Sequence, residues 1–188
     1  MKKFKLFWLM ILLSAQFMSA QFRVTKDGLE TDTGEDFYVV SIDGKTANEL
    51  FTSAKAFFST QFRNPDAVLN SIENEMITIH GFFKDAFPCK KWFGIQHYAD
   101  VDMNVSMYFK NNKIRIDIPS LNQMRCNSLG TSTENYRDVV FVSGGNIKMF
   151  NKDGKVKNEQ AVNGLTAFVN NFINELIQYV KQGENNDW

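Results

Sequence analysis

Alternation is the pattern that most narrows what this chain can fold into. Between residues 99 and 109 every second position is apolar: Ala99, Val101, Met103, Val105, Met107 and Phe109. After Asn111-Asn112 the pattern resumes with Ile114, Ile116 and Ile118. Successive side chains of a strand point to opposite faces, so two strands with one apolar face each are predicted. A two-residue turn at Asn111-Asn112 pairs Phe109 with Ile114 and Met107 with Ile116. The apolar faces then coincide, which fixes the register. Asparagine tolerates the positive φ that such a turn needs. A sheet of this kind buries one face and leaves the other polar.

Two helices are available to cover the buried face. Thr46 and Glu49 have the spacing of a capping box, in which each side chain satisfies a backbone N–H near the other. Ala47, Leu50, Phe51, Ala54, Phe57, Phe58 and Phe62 follow on one helical face, and Asn64-Pro65 stops the run. The second helix is expected over roughly 159–182, with an apolar stripe of Leu165, Phe168, Val169, Phe172, Ile173, Leu176, Ile177 and Val180. Asn170, Asn171, Asn174, Glu175 and Gln178 fall on its opposite face, and Gly183 fits a C-terminal cap. Further strands are expected at 37–42, 67–72, 76–82, 139–143 and 147–150, with Glu73-Asn74-Glu75 as a turn. Residues 22–35, 83–98 and 119–136 read as irregular. The economical fold is a two-layer α+β domain, an antiparallel sheet with both helices on one face.

The order of elements resembles a family of exported Bacteroidetes proteins. These carry a domain of unknown function with a TATA-binding-protein-like fold. The resemblance is carried by the run from Tyr38 through Asp43-Gly44-Lys45-Thr46 to Leu50, by Asn64-Pro65-Asp66-Ala67-Val68-Leu69, and by the hairpin around Asn111-Asn112. It covers roughly residues 36–118, and the final helix matches in type. It implies a β-α-β(n)-α order and brings no catalytic residues. A fold name of this kind implies shape and says nothing about DNA.

The N-terminus reads as a secretory signal. Lys2, Lys3 and Lys5 precede an apolar run from Leu6 to Leu13, and small residues at Ser19 and Ala20 place the cut after Ala20. The run is shorter than the ~20 residues of a spanning helix. The domains expected are therefore a signal peptide at 1–20, a flexible leader at 21–35, a single α+β domain at 36–183 and a tail at 184–188. The product would be exported, to the periplasm, the cell surface or the medium, with no transmembrane segment after cleavage. Cleavage removes three of 21 basic side chains and none of 21 acids, leaving 18 against 21, about −3 net. That sign disfavours nucleic acid, which needs a basic surface, and passive attraction to anionic lipid.

Cys89 and Cys126 both lie in the mature part, and in an oxidising compartment they can pair. Two cysteines alone establish no contact, and two separate buried thiols suit the sequence as well. Cys89 beside Lys90 and Lys91, with His97 as base, is the nearest approach to a nucleophile, and a disulfide would abolish it. His80 reads as a partly buried structural histidine. Asp100-Val101-Asp102-Met103-Asn104 starts like a calcium loop but lacks the glycine and the closing acid, so no metal is expected. Val142-Ser143-Gly144-Gly145 is no nucleophile elbow, and no phosphate-cradling loop or cofactor motif occurs. No enzyme is expected.

The remaining candidate is aromatic. Phe83, Phe87, Trp92, Phe93 and Tyr98 crowd one segment, with Phe82 beside them. Such a cluster is a satellite core or a contact patch. The functional expectation is a non-enzymatic domain that binds a protein partner or envelope component through these residues. The alternative is a carrier holding a small apolar ligand between helices and sheet.

Overall fold

The computed structural model describes residues 21–127 and 136–182. The expected signal peptide, Gly183 and the 184–188 tail lie outside the described residues. The element order is β1 (Phe22–Thr25), β2 (Gly28–Thr31), β3 (Phe37–Ser41), α1 (Ala47–Gln61), α2 (Pro65–Val68), β4 (Leu69–Ile72), β5 (Met76–Trp92), β6 (Ile95–Lys110), β7 (Lys113–Asp117), β8 (Ser120–Asn127), β9 (Tyr136–Val140), β10 (Ile147–Lys148) and α3 (Glu159–Gln182).

β6 organises the sheet because its alternation is the longest. On one side it pairs antiparallel with β5. On the other, β7 takes Met107 to Lys110 and β8 takes Ala99 to Asn104. Pro119, with no N–H to give a ladder, lies between β7 and β8, so they form one interrupted strand. The turn at Asn111-Asn112 sets Phe109 opposite Ile114 and Met107 opposite Ile116, as the sequence predicts. Asn112 takes φ 64°. Both asparagines also fasten the chain that enters α1. Asn112 Oδ1 accepts from Gly44 N at 2.9 Å, and Asn111 Oδ1 accepts from the first helical N–H, that of Ala47, at 2.9 Å.

α1 begins where the capping box puts it. Glu49 N donates to Thr46 Oγ1 at 3.3 Å, and Thr46 N donates to Glu49 Oε2 at 2.7 Å. The Thr46 N–H, then its hydroxyl, hold the Glu49 carboxyl below the ordinary carboxylate range, with a smaller push from Lys45. A depressed folded pKa stabilises above the unfolded pKa of about 4.3 and is lost as pH falls through the folded value. Glu49→Gln should therefore lower the thermal midpoint at neutral pH. The gap from wild type should close when both proteins are melted below about pH 4.

α1 and α3 both lie on the buried face. Leu50, Phe58, Ile77, Ile79, Met103, Met107, Ile114, Ile116, Leu165, Ile173 and Leu176 are fully buried between them and the sheet. Burial of each such side chain contributes about 1.5–3 kcal/mol relative to exposure. Gly164 lets α3 approach β5, because a Cβ there would come within 2.7 Å of Pro88 Cδ. Among the described residues no helix is long and apolar enough to cross a membrane.

Several expected elements differ. The segment expected as a flexible leader is instead a hairpin, β1 with β2, seated on α3. Its anchor is Asn170, placed by sequence on the polar face of the last helix but buried in the structure. Asn170 Oδ1 accepts from Gln21 N at 2.8 Å and Phe22 N at 2.9 Å, and its Nδ2 donates to Phe22 O at 2.7 Å. Phe22 is fully buried and meets Tyr38 edge-on at 6.3 Å. Burial there pushes the Tyr38 phenol up, and a hydrogen bond with Gln21 partly offsets the push.

The strand expected at 67–72 is shorter, because Pro65, at the first helical position, nucleates one turn of helix before β4. Segment 119–136, expected as irregular, supplies β8, whose buried residues are Met124 and Cys126. The strand expected at 139–143 runs from Tyr136 to Val140, and the one at 147–150 is a two-residue parallel pairing with β9.

Candidate functional site

Segment 83–98 is not irregular: β5 and β6 continue through it to a turn at Phe93-Gly94. Both turn residues have positive φ, 46° and 79°, as a type I′ turn requires. Two register shifts, between Phe83 and Phe87 and between Pro88 and Lys90, interrupt the ladder below it. In the first, Asp85 takes φ 49° and its N–H donates to the buried Asp100 carboxylate at 2.9 Å.

The shifts divide the expected aromatic site. Phe83 and Phe87 belong to the core, which corrects their assignment to a contact surface. Phe87 is fully buried. Phe83 packs on Phe62, Phe168 and Phe172, with ring centroids 5.2–5.7 Å away. Trp92, Phe93 and Tyr98 stay outside. Trp92 and Phe93 stack at 5.3 Å, and Ile95, opposite Trp92, extends the apolar apex. Their exposures are 36% for Trp92, 88% for Phe93 and 57% for Ile95.

Cations surround the indole. Lys90 Nζ lies 5.1 Å and the Arg137 guanidinium carbon 5.6 Å from the Trp92 ring centroid. Within 6 Å of a ring face such cations are attracted by the π electrons. Lys90 and Lys91 are legible beside Trp92. Arg137 is not, because only the β8–β9 pairing brings it there. Below the apex, Cys89 and Cys126 are joined, with Cα atoms 6.0 Å apart. Asn158 Nδ2 donates to Cys89 O at 2.8 Å, and Gln160 of α3 bonds Gln96.

The other candidates are scattered. His97 is buried with its Nδ1 2.9 Å from Asn127 O, and the bonded Cys89 offers it no thiol. His80, expected as partly buried, is exposed on the open sheet face, its Nε2 2.7 Å from Asp102 Oδ1. Asp102 also accepts from Asn122 Nδ2 at 3.0 Å. Asp100 and Asp102 are thus tied to protein N–H groups, and Asn104 Nδ2 donates to Asn122 Oδ1 at 3.5 Å. The charge of Asp100, with desolvation and a hydrogen bond between the two, holds the Tyr136 phenol above its ordinary value. Among the described residues no three His, Cys, Asp or Glu converge as a metal site.

Two solved structures resemble this chain in part. A TBP-like protein from Parabacteroides distasonis superposes with a TM-score of 0.52 at 12% identity, over 79% of this chain and 92% of that one. The fold is TBP-like. A DUF4468 family protein from Bacteroides ovatus superposes with a TM-score of 0.43 at 11% identity, over 77% and 81% of the two chains. Both neighbours come from Bacteroidetes. No protein-family model and no curated protein sequence matches the chain. At such identity the TBP-like likeness is one of shape, and function has to be argued from the surface.

Proposed function

We propose that this chain is an exported, non-enzymatic binding domain that contacts a protein partner or envelope component through the β5–β6 tip. One observation carries the reading: Phe93 holds φ 46° with 88% of its surface exposed. The left-handed region costs a side-chain-bearing residue about 1–2 kcal/mol, and asparagine or glycine avoids much of it. Its stack on Trp92 lies at the surface, so the core gains nothing in return for that cost. Strain of this kind gathers at sites of contact. The carrier alternative needs room between helices and sheet, where Leu50, Phe58, Met103, Met107 and Leu176 are fully buried against one another.

Phe93→Asn separates contact from folding. It gives the turn the Asn-Gly pair that type I′ geometry favours, so urea unfolding should show a gain of about 0.5–1 kcal/mol. Immobilised wild type should retain a component of envelope extracts that the variant releases. A variant that loses stability, or that retains the same component, would count against the reading.

A further inference from the structure

We infer that the tip docks on an anionic lipid surface, with Trp92, Phe93 and Ile95 entering the headgroup zone and Lys90, Lys91 and Arg137 meeting lipid phosphates. This rests on the reading of the tip as the contact surface, and it names the partner. Shape is the first argument. Among the described residues β8 pairs with β6 only as far as Ala99, and beyond it β5 and β6 continue as a paired ribbon to a turn that leaves Trp92, Phe93 and Ile95 exposed. An exposed turn with a stacked tryptophan and phenylalanine suits a plane that it can enter. Tryptophan prefers the zone where apolar and polar layers meet.

Charge is the second argument. Between Asp85 and Asp100 the chain has two lysines and no acid. Arg137 adds a third cation from β9. Lysine and arginine stems lie along apolar matter while their heads reach phosphate. The mature chain carries about −3 overall, so general attraction is absent and the local patch sets the orientation. Stiffness is the third. The Cys89–Cys126 bond and the contacts to Asn158 and Gln160 hold the base of the ribbon, so docking orders little that is loose.

The test uses residues 21–188 with Trp188→Phe, which leaves Trp92 as the sole tryptophan of the mature chain. Vesicles are phosphatidylcholine alone or with about 30% phosphatidylglycerol. The chain should sediment with the anionic vesicles, Trp92 emission should move to the blue, and added salt should release it. Lys90→Gln with Lys91→Gln should lower partitioning roughly 25-fold, and Phe93→Asn at least about tenfold, with thermal midpoints showing both variants folded. Failure of wild type to sediment at low salt overturns the inference. If position 93 then crosslinks to an acidic envelope protein, the binding reading stands with a different partner. If it crosslinks to nothing, both fall.

Discussion

Replacing Cys89 and Cys126 together with alanine should lower the free energy of unfolding by about 3–4 kcal/mol. The two residues are 37 apart in sequence, and the loop they close takes in the tip, all of β6 and β7, and most of β8. Cross-linking that loop removes conformations from the unfolded chain, which is where most of the stabilisation arises in the chain-entropy account. The ladder around the bond does not depend on it, since Ala99 pairs with Cys126 through the main chain. Urea unfolding of oxidised wild type, reduced wild type and the double variant should give one high value and two similar low ones. Equal stability of all three would show that the bond contributes nothing. The tip should suffer first on reduction, because Cys89 is its covalent tie to β8.

Asn170→Ala should cost about 2–3 kcal/mol and release the N-terminal hairpin. The side chain serves three backbone groups of the hairpin, the N–H of Gln21 and both the N–H and C=O of Phe22, and also donates to Thr166 O in its own helix. Alanine leaves the Phe22 groups buried without partners, which is the expensive way to lose a hydrogen bond. Hydrogen exchange should show the amides of β1 and β2 losing protection while β5 and β6 keep theirs. Asn170→Asp retains the acceptor for the two N–H groups and loses the donor, so it should fall between alanine and wild type. Unchanged protection of residues 22–31 in the alanine variant would remove the anchor role.

The legible parts of this fold are those with long, unbroken periods. Eleven residues of strict alternation placed β6. The Asn-Asn turn placed β7, and the stripe from Leu165 to Val180 placed α3. Wherever a strand departs from alternation the reading failed for a physical reason. In β5 a bulge at Asp85 and a proline at 88 break the two-residue period, so the ribbon to the tip looked irregular. Its turn is hidden as well, because Phe93 is a residue that such turns avoid. β8 has two buried residues near its end and a polar start, which resembles a loop. The hairpin at the N-terminus depends on Asn170, nearly 150 positions away, and no local pattern announces that. The aromatic segment was the right place to look, yet sequence alone could not separate Phe83 and Phe87, which fill the core, from Trp92 and Phe93, which leave it. That division is decided by the bulges.

The central claim is that the β5–β6 tip is where this domain meets its partner. A photo-crosslinking amino acid placed at position 93 in growing cells tests it most directly, with the same residue at the exposed Asp66 as control. The account predicts a discrete adduct with an envelope lipid or protein from position 93, lost when Trp92 is also replaced by threonine, and none from position 66. Equal labelling from both positions, or an adduct from position 66 alone, would contradict it.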